Sequence, residues 1–282
     1  MDKNRTDFST MVSVQPFWDA EKSHKSLLAE GNNGTPIAVV HELKNTGKTD
    51  GLSCVPGIGL VGILFSTDPN NPCAICCGTL NQSKKVPLYG MLQVFACQFF
   101  PGEFTRIFGI PSNELADTEI PLDDLLQPGS ILDQMAYSET FEQRIKYLRN
   151  FILQWESRTK QRETSSLIQK MMHDALMQHG NIRISELQEQ TGYSARYLQK
   201  VITEHVGLAP KTVLANIRFQ NALRTMIEHP AMSIVDVAQD CGYYDQSHFA
   251  KAFKEYMHMP PSTFQEKIQK EFSPGKLDFI TL

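Results

Sequence analysis

Through the C-terminal half of the chain, apolar residues return every three or four positions, the period of a helix with one buried face. Two stretches of this kind are near copies. Ile184-x-x-Leu187-x-x-x-x-Gly192-Tyr193 is echoed by Ile234-x-x-Val237-x-x-x-x-Gly242-Tyr243, and Leu198-x-Lys200-x-Ile202 by Phe249-x-Lys251-x-Phe253. Each copy closes on a proline, Pro210 and Pro261, at an offset of 50 up to the Gly-Tyr pair and 51 after it. Recurrence at a nearly fixed offset marks two copies of one small supersecondary unit. In each copy the apolar pattern runs into Gly-Tyr, restarts after a polar residue (Ser194; Asp245-Gln246-Ser247) and continues for about three turns, so the pattern predicts helix, tight turn, helix. Gly192 and Gly242 sit where the chain must turn in a left-handed conformation that costs glycine least. Lys211 to Glu228 lies between the copies without Pro or Gly and with Val213, Leu214, Ile217, Ala222, Leu223 and Met226 in helical phase. A helix there spans roughly 27 Å, comparable to the ~34 Å between successive major-groove faces of one duplex.

The outward positions of each second helix are polar: Arg196, Gln199, Lys200 and Thr203 in the first copy, Gln246, Ser247, Lys251 and Lys254 in the second. Arg and Lys reach guanine acceptors, Gln pairs with adenine, and neighbouring cations meet phosphates, so such a face suits major-groove reading. The plain alternative is a pair of helical hairpins with solvated faces, and the duplication weighs against it.

The N-terminal half reads differently. Short apolar runs, Ile37 to Val40, Leu60 to Phe65 and Met91 to Phe100, are separated by Gly, Pro and Asn. Short β-prone runs with regular turns predict a mostly-β domain over 1–137, in the form of a barrel or sandwich. The expected fold class is therefore α+β: a mostly-β N-terminal domain, a helical connector over 138–164, an all-α domain over 165–265 with two helix-turn-helix units joined by a linker helix, and a tail over 266–282. Phe141, Ile145, Leu148, Ile152 and Trp155 form a seam in the connector that suits packing on the β-domain or pairing with a second chain. Ser157 to Ser166 is polar and suits a linker or an exposed helix end.

Composition changes the picture only in places. The content is 41% hydrophobic with a formal net charge of -4, ordinary globular material and not the basic balance of a nucleic-acid binder. Across 165–265, nine Lys and Arg face nine Asp and Glu, so affinity for DNA has to come from placement and non-specific binding is expected to be modest. No apolar run reaches membrane-spanning length and Met1-Asp2-Lys3-Asn4 begins no secretory signal, so the expected location is the cytoplasm, with no membrane partner. No G-x-S-x-G elbow, phosphate loop or H-E-x-x-H occurs, and no enzyme activity or cofactor is expected. Cys73-x-x-Cys76-Cys77 has the close spacing of a thiolate clip, which keeps a thiol-reactive or metal-binding sensor as the rival reading. Only Cys54 lies upstream, no histidine stands at ligand spacing, and buried cysteine also serves as a small hydrophobe, so no metal is expected.

Gly192-Tyr193-Ser194 with Tyr197-Leu198, then Gly207-x-x-Pro210, Arg218-x-x-x-Ala222, Ser233-Ile234-x-x-Val237-Ala238-x-x-x-Gly242-Tyr243, Ser247-x-Phe249-x-x-x-Phe253-Lys254 and Pro261 resemble the DNA-binding domain of AraC/XylS transcriptional regulators over about residues 165 to 265. The sequence departs from that pattern at His258, where glycine is usual, and at Gln265, where arginine is common. The resemblance implies that Arg196, Gln199, Lys200 and Thr203 in one unit, and Gln246, Ser247, Ala250, Lys251 and Lys254 in the other, face double-stranded DNA. It further implies RNA polymerase as a partner, activation as the commoner outcome, and control by a small-molecule effector or by assembly, homodimerisation included, through the N-terminal domain. Cys97 to Gly102 with Phe108-Gly109-Ile110-Pro111 is similar to sensor domains in one subset of the family, and the phenylalanines Phe95, Phe99, Phe100, Phe104 and Phe108 suit either a pocket or a plain core.

Overall fold

The computed structural model describes residues 20–29, 36–45, 52–55, 60–81, 83–87, 93–158 and 164–271. The N-terminal Met1-Asp2-Lys3-Asn4, part of the polar stretch after Ser157, the side chain of Cys54 and the Pro274-Gly275 tail lie outside the described residues.

Among the described residues, eight strands occupy the first half: β1 (Ala20–Ala29), β2 (Pro36–Asn45), β3 (Leu52–Val55), β4 (Gly62–Ser66), β5 (Ala74–Cys77), β6 (Lys84–Pro87), β7 (Gln93–Phe99) and β8 (Glu119–Pro121). Six form one antiparallel sheet in the order β1-β2-β7-β4-β5-β8, and β3 pairs with β6 in a separate ribbon. The three apolar runs of the sequence fall in β2, β4 and β7, which are neighbours in the sheet. Their register places Val40, Cys97, Ile63 and Cys76 side by side across four strands. Residues paired in this way share one face of the pleat, and all four are buried.

Helices rather than a second sheet cover that face. After β7 come α1 (Glu103–Phe108), a single 3-10 turn at Ser112–Glu114, α2 (Leu122–Leu125), α3 (Ile131–Tyr137) and α4 (Phe141–Glu156). The described strands therefore form a helix-covered open sheet, not a closed barrel or two-sheet sandwich. Phe99, Phe104 and Phe108 pack edge-on or tilted with ring centroids 4.8–5.6 Å apart, and Phe108 meets Trp155 of α4 at 5.8 Å. The phenylalanines that suited pocket or core are core. α4 starts at a capping box in which Thr140 and Gln143 satisfy each other's backbone N–H groups. Its seam residues Phe141, Leu148 and Ile152 are buried in the N-terminal core with Ile145 and Trp155 packed against it. The heptad-like spacing is thus spent within the chain.

The regular elements among the described residues of the second half are all helices: α5 (Thr164–Met177), α6 (Ile184–Thr191), α7 (Ala195–Val206), α8 (Pro210–Glu228), α9 (Ile234–Asp240), α10 (Gln246–Met257) and α11 (Pro261–Glu271). Pro210 and Pro261 stand at helix starts, where the missing N–H is no loss. Two separate cores result. One joins α5, α6, α7 and the start of α8 through Met171, Leu187, Leu198, Ile202 and Val213. The other joins the end of α8 to α9, α10 and α11 through Phe219, Leu223, Val237, Phe249, Phe253 and Phe264. α11 continues past Gln265 to Glu271, and Ile268 is buried in this second core.

Candidate nucleic-acid interface

In both copies the turn is made the same way. Gly192 and Gly242 have φ of 73° and 76°, left-handed values that a side chain would strain. Ser194 then caps α7 by accepting from the Tyr197 N–H, and Asp245 caps α10 by accepting from the His248 N–H at 2.7 Å. Leu198, Val201 and Ile202 turn one face of α7 into its core, as Phe249, Phe253 and Met257 do for α10. The opposite faces are forced outward by this anchoring. Arg196, Gln199 and Lys200 are exposed and Thr203 half-buried, at the i, i+3, i+4, i+7 spacing of one helical stripe. On α10, Gln246, Ser247, Lys251 and Lys254 are exposed and Ala250 half-buried. Glu186, Glu189 and Asp236 sit on the bracing helices α6 and α9 instead. Asp236 accepts from the Ser233 hydroxyl at 2.6 Å.

Some features lay beyond the sequence pattern. Tyr193 and Tyr197 are exposed and stack at 4.7 Å, whereas Tyr243, the repeat partner of Tyr193, is buried and the next residue, Tyr244, is 92% exposed. His258, in place of the usual glycine, still adopts a left-handed φ of 55° at the end of α10. Gln265, in place of the common arginine, donates to the carbonyls of Pro230 and Met232, holding α11 to the loop before α9.

The N-terminal domain touches the ends of both outward helices. Gly207 caps α7 with φ 84°, and a Cβ there would lie 2.4 Å from Thr79 Oγ1 and 2.8 Å from the Ser112 carbonyl oxygen. Four residues on from Thr79, the Ser83 hydroxyl donates to the Glu255 carbonyl of α10 at 2.8 Å. Its single proton is then used, so it accepts from His258 Nε2 at 2.9 Å. Asp117 holds the loop between these contacts by accepting from Asn81 N and Nδ2 at 2.9 and 2.6 Å. Pro111, Asn113 and Glu114 form the other wall of a crevice lined by Arg196, Gln199, Lys200, Thr203 and Glu204. Below them Glu103 of α1 accepts from Arg106 at 2.7 Å and from Gln169 of α5 at 2.8 Å, and Arg106 pairs with Glu156 of α4.

The cysteines do not converge. Cys76 faces the core row, and Cys77, the next residue of β5, faces the other side of the sheet, so the pleat keeps the two from one ion. Burial pushes the Cys76 thiol up to about 12, aided by Cys77, and the Cys77 thiol up to about 11, with Glu119 adding and Lys84 opposing. Cys97, wholly buried, is raised by the same desolvation. Thiols kept protonated in this way are poor nucleophiles and poor ligands. No group of three His, Cys, Asp or Glu able to hold a metal occurs among the described residues. No helix there is long and apolar enough to cross a membrane.

Two polar-faced helices, each braced by a crossing helix through a glycine turn and joined by one long helix, define a tandem helix-turn-helix domain. Residues 187–267 match the family described as a helix-turn-helix domain, and residues 37–121 match a domain of unknown function, DUF6597. The Msm operon regulatory protein of Streptococcus mutans is 27% identical over 115 residues, 40% of each chain. The transcriptional activator RhaS of Escherichia coli is 30% identical over 78 residues, 28% of each chain. GbdR, a transcriptional regulator of Pseudomonas aeruginosa, is 30% identical over 80 residues, 28% of this chain and 22% of its own. The chain thus spans 40% or less of the length of these curated relatives. Among solved structures, ToxT of Vibrio cholerae aligns over 92% of this chain and 97% of its own at 14% identity, with a TM-score of 0.40. The C-terminal domain is thus similar to the helix-turn-helix domain of AraC-type transcriptional regulators, and these relatives carry the names of transcriptional regulators.

Proposed function

We propose that this protein is a sequence-specific DNA-binding regulator of transcription, an activator that works with RNA polymerase in the bacterial cytoplasm. Its α7 and α10 read adjacent major-groove segments. The observation that carries this reading is the matched pair of stripes: Arg196, Gln199, Lys200 and Thr203 on α7, and Gln246, Ser247, Ala250, Lys251 and Lys254 on α10, each displayed by the same turn, cap and buried face. Tyr197 and Tyr244 stand at the N-terminal ends of these helices, where phenol hydroxyls meet backbone phosphates. Activation is argued from the similarity to RhaS, a transcriptional activator.

Control belongs to the N-terminal domain, either through an effector or through assembly. The contacts of Thr79, Ser83 and Ser112 with the ends of α7 and α10, and the crevice opposite Asn113 and Glu114, support this assignment. Occupancy or assembly of that domain would alter how the two helices meet the groove.

The test is capture of genomic DNA by the purified full chain, wild type against the Arg196→Ala/Lys251→Ala double variant. A shared motif of two half-sites about one helical turn apart is expected, with each substitution weakening specific binding by about 1–3 kcal/mol. Equal enrichment by both proteins would refute the groove assignment.

A further inference from the structure

The two cores of the C-terminal domain share no buried side chain, and α8 passes from one to the other. Val213 and Leu214 belong to the first core, Phe219, Ala222 and Leu223 to the second. The crossover at 216–218 is largely polar: Asn216 is buried and Arg218 half-buried, with Ile217 on the first core. Apolar packing therefore anchors each unit to its own stretch of α8, and polar contacts at this seam join one unit directly to the other.

Arg218 makes those contacts in both directions. Its Nη2 donates to the Gly180 carbonyl oxygen at 2.9 Å, in the loop between α5 and α6 of the first unit. Its guanidinium carbon lies 6.0 Å from the ring centroid of Tyr243, in the turn of the second unit. Gly180 makes the approach possible: with φ 76°, it seats the loop so near α8 that a Cβ would fall 2.3 Å from the Leu214 carbonyl oxygen. Beside it, Asn181 lies against the Gly242 turn, its Oδ1 2.2 Å from where a Cβ would stand. Tyr243 in turn packs on Phe249 of α10 at 4.9 Å. One side chain thus joins the loop that leads into the first unit to the turn of the second. Its Nε is buried without a hydrogen-bond partner, which makes the guanidinium a costly choice if holding α8 were its whole task.

We infer that Arg218 is a positioning residue: by bridging Gly180 and Tyr243 it fixes the angle between α7 and α10, and so the half-site spacing the protein accepts on DNA. This rests on the reading of α7 and α10 as groove readers. Lysine cannot replace it, because a point charge on a flexible stem lacks the planar fork that donates to a carbonyl while lying over a ring.

The experiment measures binding of the full chain to an operator selected by wild-type protein from random duplex DNA. Probes carry one half-site, or both at the selected spacing or one base pair longer or shorter, a change of about 36° in rotation. Wild type is expected to lose roughly tenfold in affinity when the spacing changes, the scale of one wrong base pair. Arg218→Met and Arg218→Lys are expected to bind the single half-site as wild type does and to bind all three spacings within about twofold of one another. Tyr243→Phe, which keeps the ring, retains the wild-type preference, and Tyr243→Leu loses it. Should Arg218→Met fail to fold in a thermal melt, Arg218→Lys and Tyr243→Leu decide the matter. A sharp spacing preference in the folded Arg218 variants overturns the inference while leaving the DNA-reading function intact. Wild-type protein that selects no operator, or only one half-site, overturns the two-helix reading itself.

Discussion

At the scale of single residues, backbone sign and burial decide most of what can change. Gly180 combines a left-handed φ with backbone atoms of α8 where its Cβ would go, so neither strain nor crowding can be relieved by a side-chain rotation. Gly180→Ala is expected to lower stability by about 2 kcal/mol or more, read from the shift in urea midpoint. Gly192 shares the sign of φ but has open space around it, so its substitution should cost only the conformational strain of about 1–2 kcal/mol. The buried thiols set a pH window. Folding raises Cys76 from 9.0 to about 12 and Cys77 from 9.0 to about 11, so unfolded chains release protons that folded chains retain. Stability is therefore whole below pH 9 and falls as pH rises toward 12, at up to about 1.4 kcal/mol per pH unit for each thiol. Urea titrations of wild type and a Cys76→Ala variant from pH 8 to 11 check this: the variant should show the shallower decline.

At the scale of elements, caps and turns carry the fold of the two reading units. Ser194→Ala and Asp245→Ala each remove the acceptor for an N–H in the first turn of a reading helix, and each is expected to cost about 1 kcal/mol in a thermal or urea melt. An unchanged midpoint in both would show that solvent replaces these caps. These same elements were the legible part of the chain, because glycine sign, cap chemistry and a 3.6 period are local and were written twice. The linker helix was legible for the same reason, as Lys211 to Glu228 within α8 (Pro210–Glu228). The N-terminal half was legible only as strands. Its apolar runs mark β2, β4 and β7, yet α1, α2 and α3 are too short to show a period and the seam of α4 did not say what it covers, so the sequence was read as a barrel or sandwich. Cys73-x-x-Cys76-Cys77 looks like a clip in one dimension, and only the pleat of β5 turns adjacent thiols apart. Arg218 stood out as part of a motif, but its bridge joins residues 38 apart on one side and 25 on the other, and no local pattern encodes that.

At the scale of the whole molecule, one short stretch of the N-terminal domain reaches both reading helices: Thr79 at the end of α7 and Ser83 at the end of α10. Ser83→Ala removes a donor to the Glu255 carbonyl and an acceptor for His258 without entering either core. If that grip restrains the helices, the variant should bind operator severalfold tighter than wild type in the absence of effector, on the scale of about 1 kcal/mol for one hydrogen bond. Equal affinity would show that the contact is idle in control. The three hydrophobic clusters, one in the sheet domain and two in the reader, share no buried member, which lets the parts shift against each other without unpacking. The N-terminal domain grips α7 and α10 at their C-terminal ends, while most of the side chains proposed to face DNA lie toward the other ends. On α10 the residues proposed for operator preference and the regulatory contact thus occupy separate stretches, whereas on α7 Arg196, Gln199, Lys200 and Thr203 also line the crevice walled by Pro111, Asn113 and Glu114. A lineage could retarget its genes by drifting at Gln246 or Ser247 of α10 and keep its switch, while any change at Arg196 or Gln199 of α7 would touch operator and switch together.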